Sequence, residues 1–265
     1  MSLQAAIATR PRAFVAVVGT QAEDYLQRMV SNDVEALGVG ESCEALLLTP
    51  KARVIAPVRV LRRGAEDFLL LTEPELGEIV REHLLRFRFA ARAEIATEEH
   101  SSHLVFSDPG NGGIPNSDYP VPAWEVLDRE PPSGAEHVAE GELERLRIEA
   151  RTPRFGREID DRVLPAEAGL VERAVSLTKG CYPGQEPIAR LHYRGHANRS
   201  LRLLQVDSEE PPDFDAEIVL EGKTVGRVTS AVRSNGGVVA LGYVRVEVPE
   251  DADLGVGNAS ARSLH

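Results

Sequence analysis

Three short runs of apolar and β-branched residues, at 44–48, 54–61 and 68–72, lead directly into an amphipathic helix. That order constrains the fold more than any other feature of the chain. The runs have strand length and composition, and a turn around Pro50 joins the first two. After Pro74, the residues Leu76, Ile79, Val80, His83, Leu84 and Phe87 recur at helical spacing. Consecutive strands followed by a helix predict an antiparallel sheet with helices on one face, an α+β unit. Pro57 cannot donate to a ladder, so the second strand is expected to have an edge or a bulge there.

Ahead of this unit, residues 13–18 predict a strand ended by Gly19. Thr20 with Glu23 predicts a capping box opening a helix whose buried face is Ala22, Tyr25, Leu26, Met29 and Val30. Ser31-Asn32-Asp33 ends it with turn-forming side chains. Residues 108–122, rich in Gly, Pro, Asn and Ser, read as a surface loop, 124–127 as a strand and 142–150 as a helix. Residues 151–176 are irregular, and an irregular stretch of that length is more often functional than idle. From Leu201 onward, short strands at 201–206, 217–220, 224–232 and 238–246 alternate with turns such as Glu221-Gly222-Lys223 and Ser234-Asn235-Gly236-Gly237. That is the pattern of a small β-barrel or sandwich.

With 30 basic against 42 acidic residues the chain carries a formal charge of −12. This disfavours a general nucleic-acid or anionic-membrane role. No apolar run reaches membrane-span length, and residues 1–12 lack the core of a signal peptide. Two cysteines in different contexts, Cys43 and Cys181, suggest no disulfide framework. The expectation is a cytoplasmic protein with reduced thiols.

Lys179-Gly180-Cys181-Tyr182-Pro183-Gly184-Gln185-Glu186 packs a cation, two glycines, a thiol, a phenol, an amide and a carboxylate into a stretch with almost nothing to bury. It reads as a site rather than as packing. Cys181 is the candidate reactive group, and Lys179, Arg190 and His192 could favour its thiolate. The plain alternative is an inert small residue. No second cysteine or close histidine spacing accompanies it, which disfavours a zinc site. Arg190, His192, Arg194, His196, Arg199 and Arg202 form a basic run, and alternation at 190, 192 and 194 would place those three on one strand face. Such a face could hold a polyanion or simply be solvated.

The same octapeptide resembles the diagnostic motif of the YgfZ family of folate-binding proteins, relatives of the glycine-cleavage T-protein. Leu26 to Val34, Thr49-Pro50-Lys51-Ala52-Arg53-Val54, Arg147-Ile148-Glu149-Ala150 and Leu164-Pro165-Ala166-Glu167 follow the family's order. The resemblance implies a T-protein-like α+β region over 1–195, with a second subdomain at roughly 46–117, and a C-terminal β-barrel over 196–265. It implies tetrahydrofolate or a derivative as cofactor. Glu125, in Trp124-Glu125-Val126, is similar to the glutamate that accepts the pterin's N–H donors, and Arg147 to the arginine near the folate tail. By the same resemblance Asn32, Tyr182, Gln185, Glu186 and Arg190 belong to the binding set, with Cys181 and Lys179 as the groups closest to chemistry. T-proteins carry an aspartate on the strand after the first hairpin, whereas Val54-Ile55-Ala56-Pro57-Val58 has no acid. Simple aminomethyl transfer is therefore not expected.

The implied function is a folate-binding accessory factor that supports iron–sulfur cluster assembly or repair, and through such enzymes tRNA modification. Its partners would be a folate, and iron–sulfur proteins or their assembly factors, without membrane or direct nucleic-acid binding. Cys181 could accept a one-carbon unit or touch a cluster. The alternatives are a folate-dependent one-carbon transferase with a different catalytic group, and a docking module that has lost folate.

Overall fold

The computed structural model describes residues 6–110, 112–131, 134–234 and 236–264. The start of the N-terminal segment, Asn111 in the expected loop, and Asn235 in the expected turn lie outside the described residues. The chain opens on β1 (Ala6–Thr9) and β2 (Ala13–Val18), followed by α1 (Ala22–Met29). The expected meander is β3 (Ser42–Leu48), β4 (Val54–Gly64) and β5 (Asp67–Thr72), and α2 (Gly77–Phe87) then leads to β6 (Glu94–Glu98). These strands form an antiparallel sheet in the order β3-β4-β5-β2-β6.

Alternation decides which side chains meet. Val15, Val17, Phe68 and Leu70 pack with Tyr25 and Leu26 of α1 and with Val80 and Leu84 of α2. Phe14, Ala16, Leu69 and Leu71 turn the other way, onto Ile114 of a second sheet. Burying each such Leu or Phe stabilises the fold by about 1.5–3 kcal/mol relative to leaving it in water.

Two local expectations change. Helix α1 has Gln21 rather than Thr20 at its N-cap with no side-chain capping bond: the Gln21 Oε1 accepts the Arg92 N–H, and Glu23 pairs with Arg62. Pro57 lies on an interior strand. It is tolerated because pairing with β5 begins only at Arg59, and the ladder to β3 shifts register between Leu47 and Leu48.

The second sheet, in the order β10-β1-β7-β9-β8, adds β7 (Ser102–Val105), β8 (Gly113–Asn116), β9 (Ala123–Leu127) and β10 (Glu136–His137). Strand β8 falls inside the stretch expected to be loop. Ile114 is its buried apolar residue, too little to show a period in the sequence. Residues 46–117 thus contribute strands to both sheets.

Helix α3 (Glu140–Glu149) follows, then an irregular segment holding α4 (Val171–Ala174), then α5 (Gln185–Arg194). Strands β11 (Arg199–Val206), β12 (Glu217–Leu220), β13 (Lys223–Ser234), β14 (Gly237–Arg245), β15 (Leu254–Val256) and β16 (Ala259–Leu264) close into a six-stranded barrel. The irregular segment is mortar. Ile159, Val163, Ala168 and Leu170 fill the joint between Leu46 and Leu48 of β3 and Tyr243 of the barrel. Ile148 of α3 packs on the barrel's Leu203, Val239 and Leu241. The fold is α+β, with two largely antiparallel sheets, few helices and a closed C-terminal barrel.

The basic run 190–202 is not one strand face. Arg190, His192 and Arg194 lie on α5, where alternate residues diverge around the helix. Arg202 is buried in the barrel and donates to the Val248 and Pro249 carbonyls. Arg199 pairs with Glu167 and lies over the Tyr243 ring.

Candidate functional site

Between the sheets, the irregular segment and the barrel lies a cavity of about 720 Å³. Its wall is rich in arginine. The β1–β2 link supplies Arg10 and Arg12, β3 supplies Glu44, β4 Arg59, the end of β5 Glu73, the β8–β9 loop Asp118, and α4 Arg173. These groups form one network. Glu44 accepts from Arg59 at 3.1 Å and from Arg173 at 2.9 and 3.0 Å. Arg10 donates to Glu73 at 2.8 Å, and Arg173 to Asp118 at 2.9 Å.

Asp118 Oδ1 is held by Arg173, while among the described residues Oδ2 has only the longer approaches of Arg10 at 3.9 Å and Arg12 at 3.8 Å. Burial pushes the Asp118 carboxyl up, but Arg59, Arg12, Arg10 and Arg173 more than offset it and hold it below the usual range. A carboxylate kept ionised, with an oxygen in no short contact, suits the binding of N–H donors better than proton transfer.

Glu125 is placed differently from the expectation. It is fully buried, and it anchors Arg12 from behind the wall: Arg12 Nε donates to Oε1 at 3.0 Å and Nη2 to Oε2 at 3.1 Å. Ser102 adds a hydroxyl at 2.8 Å. Burial raises the Glu125 pKa, but Arg12 and Ser102 outweigh it and keep the group ionised. Both oxygens are occupied, so Glu125 does not offer a free carboxylate to the cavity.

Arg147 does line the cavity, yet its donors are spent on structure. It takes Glu144 through Nε at 2.9 Å and Nη2 at 2.6 Å, Glu158 and the Thr152 carbonyl through Nη1, and Ser230 of the barrel through Nη2 at 2.8 Å. It joins α3 to the barrel. Beside it, Arg154 and Arg157 also line the cavity and are in no ion pair among the described residues.

The octapeptide stands apart. None of its residues lines the cavity, and Cys181 is exposed, so the structure does not bring Cys181 and Glu125 together. Lys179 is buried and donates from Nζ to the carbonyls of Val30 at 2.9 Å and Asn32 at 2.6 Å. Burial lowers its pKa to about 8. Its Nζ lies 5.4 Å from the Tyr182 ring centre. Gln185 donates to the Lys179 carbonyl, Glu186 and Arg190 are exposed on α5, and Asn32 ties its own turn to the Glu44 carbonyl at 2.7 Å. Gly184 is left-handed at φ 85°, and a Cβ there would come within 2.8 Å of the Thr49 carbonyl. Gly180 has no such restriction. The motif is thus a built loop clamped to Val30–Asn32 and to the β3–β4 turn, presenting its thiol outward.

Sequence reading missed Arg10, Arg12, Glu44, Arg59, Glu73, Asp118 and Arg173. They come from six separate elements, so no local pattern groups them. Among the described residues, no group of three or more His, Cys, Asp or Glu is placed to hold a metal ion. No described helix is long and apolar enough to cross a membrane.

No family model matches the chain. A tRNA-modifying protein YgfZ from Edwardsiella ictaluri is 25% identical over 279 residues, covering 91% of this chain and 84% of that protein. A YgfZ of Shigella sonnei is 24% identical over 290 residues, covering 96% and 89%. A putative chloroplastic transferase of Arabidopsis thaliana is 27% identical over 278 residues, and the alignment covers 87% of this chain but 63% of that one. Among solved structures, the crystal structure of the glycine cleavage system aminomethyltransferase T from Bartonella henselae superposes with a TM-score of 0.84 at 20% identity, covering 98% of this chain and 84% of that one. The sequence relatives and the fold support a YgfZ-like, T-protein-like family.

Proposed function

We propose that this YgfZ-like, T-protein-like chain is a tetrahydrofolate-binding accessory protein whose ligand occupies the central cavity. The observation that carries the reading is the pairing of two features in one wall. Asp118 keeps an ionised oxygen in no short contact, matched to the adjacent N–H donors of a pterin. Arg154 and Arg157, in no ion pair among the described residues, are matched to the carboxylates of a glutamyl tail. Glu125 acts through Arg12, which it orients and keeps from closing on Asp118. A wall of guanidiniums paired with carboxylates, with Asp118 held ionised, binds and orients, which supports a binding role over transfer chemistry.

The relatives' name, tRNA-modifying protein YgfZ, supports the tRNA-modification part of the reading, and the exposed Cys181 loop is where cluster chemistry would be met. The folate-loaded protein supports iron–sulfur enzyme assembly or repair, and through those enzymes tRNA modification, with Lys179, Tyr182 and Gln185 bracing the loop that presents Cys181. Thermal unfolding with and without tetrahydrofolate under reducing conditions tests the binding. A ligand that binds only the folded state raises the midpoint by mass action. Arg154→Ala with Arg157→Ala should shrink the rise given by tetrahydrofolate but not that given by a tetrahydropterin without the tail. An unchanged midpoint for the wild type would remove the proposal.

A further inference from the structure

The apolar stripe of α2 is wider than the sheet beneath it. Val80 and Leu84 are buried, but Ile79 remains 45% exposed and Phe87 39%. Just past the helix, Phe89 is 84% exposed and takes a left-handed backbone at φ 45°. For a bulky side chain that conformation is strained, and it persists only where the surroundings impose it. They do so here. The Ala91 N–H donates to the Arg88 carbonyl at 2.9 Å, and Arg88 Nη1 to the Ala93 carbonyl at 3.3 Å. Gln21 holds the turn from outside: its Oε1 accepts the Arg92 N–H at 2.8 Å, and its own N–H donates to the Arg92 carbonyl at 3.2 Å. The fold thus fixes a segment whose aromatic side chain stands in water.

Rings and cations interleave along this segment. His83, Phe87 and Phe89 form a ladder with ring centres 4.9 and 6.5 Å apart, and the Arg86 guanidinium lies 5.6 Å from the Phe87 ring centre. Arg81 is paired with Glu78, whereas Arg86, Arg88 and Arg92 are in no ion pair among the described residues. From Val80 to Ala93 the chain has four arginines and one glutamate, so this end is locally basic on a chain of formal charge −12. We propose that the ring ladder, with Arg86, Arg88 and Arg92, is a docking surface for single-stranded nucleic acid. A small anion would match the guanidiniums and leave the rings in water. A neutral apolar surface would match the rings and leave three cations without partners. A single strand meets both, since its bases offer faces to the exposed rings and its phosphates follow one another along the arginines. Stacking on a ring reads no base edge, so the binding should tolerate any sequence.

The test is fluorescence anisotropy of a labelled oligouridylate of about twelve nucleotides, titrated with the full chain at neutral pH. The expected result is saturable binding at about 50 mM salt that weakens about twentyfold by about 200 mM, the dependence of three phosphate contacts on a single strand. Phe89→Ala should weaken it by about fivefold or more, whereas Phe89→Tyr, which keeps the ring, should retain it. Phe89 is mostly exposed, so neither change threatens the core. Arg86→Gln with Arg92→Gln should cut the same salt effect to about threefold, the dependence left by one contact. Arg190→Gln with Arg194→Gln, on exposed positions of α5, should change little. Binding that survives Phe89→Ala, or that is lost with the α5 pair, overturns the proposal. So does a wild type that shows no saturable binding, which would leave the ring ladder to a protein partner. Tetrahydrofolate binding is read separately by thermal unfolding, so failure of either site leaves the other standing.

Discussion

Arg12 and Glu125 meet through two parallel hydrogen bonds, at 3.0 and 3.1 Å, with 8% and 0% of their side-chain surfaces exposed. The pair sets the back of the central cavity, because Arg12 also reaches Glu73 and Asp118. Replacing Glu125 with Gln leaves a buried guanidinium facing a neutral amide. The expected loss, read by urea unfolding at neutral pH, is about 3–5 kcal/mol. Because the folded-state pKa of Glu125 lies below its ordinary 4.5, its contribution is present above that pH and is lost as pH falls through the folded value. The wild type and Glu125→Gln should therefore converge in stability on acidification below pH 4.5.

The two thiols should react at very different rates. Cys181 is exposed, whereas Cys43 is half-buried, and burial pushes its pKa up to about 11. At pH 8, alkylation of Cys43 should run about 100-fold more slowly than that of an ordinary exposed thiol, from the thiolate fraction alone. Peptide mapping after a timed iodoacetamide pulse should find the label on Cys181. Equal labelling would contradict the burial described here.

Gly184 is the glycine of the octapeptide that the backbone requires. Gly184→Ala must adopt φ 85° and place a methyl 2.8 Å from the Thr49 carbonyl. The strain should cost about 1–3 kcal/mol. Gly180→Ala, with open space around it, should be close to neutral in the same thermal unfolding series.

Lys179 titrates where most lysines do not. Burial holds it at about 8 in the fold against 10.5 ordinarily, so the unfolded chain binds more protons between those values. Stability contributed at this position therefore rises with pH across that window. Relative to Lys179→Met, which has no titrating group, the wild type should gain on the order of 3 kcal/mol between pH 8 and pH 10.5. Parallel stability curves for the two proteins would show that Lys179 is not desolvated.

The periodic parts of this fold were legible in the chain. Residues 44–72 read as a meander because their apolar alternation matches strand geometry, and α2 because Leu76, Val80 and Leu84 fall on one helix face. Strand β8 was hidden, since Ile114 is one apolar residue amid glycine, proline and asparagine, and its pairing with β9 comes from the sheet around it. Helix α5 was hidden for a similar reason. Only Ile188 of that helix is buried, so its apolar face is too short to stand out in a polar, basic sequence. The candidate site divides in the same way. The octapeptide is contiguous and stood out at once, although the side chain of Lys179 turns inward to backbone carbonyls. The cavity wall pairs Arg12 with Glu125, 113 positions away, and Arg173 with Glu44, 129 positions away. Such partners have no expression in local spacing.

The measurement closest to the central claim is calorimetric titration of the purified protein with tetrahydrofolate under reducing conditions, beside Asp118→Asn. The cavity reading predicts a one-to-one isotherm for the wild type and about tenfold or greater weakening in the variant, from loss of a charge-assisted acceptor. Binding that Asp118→Asn leaves unchanged would place the pterin elsewhere. No heat and no competition in the wild type would contradict a folate site in this cavity altogether.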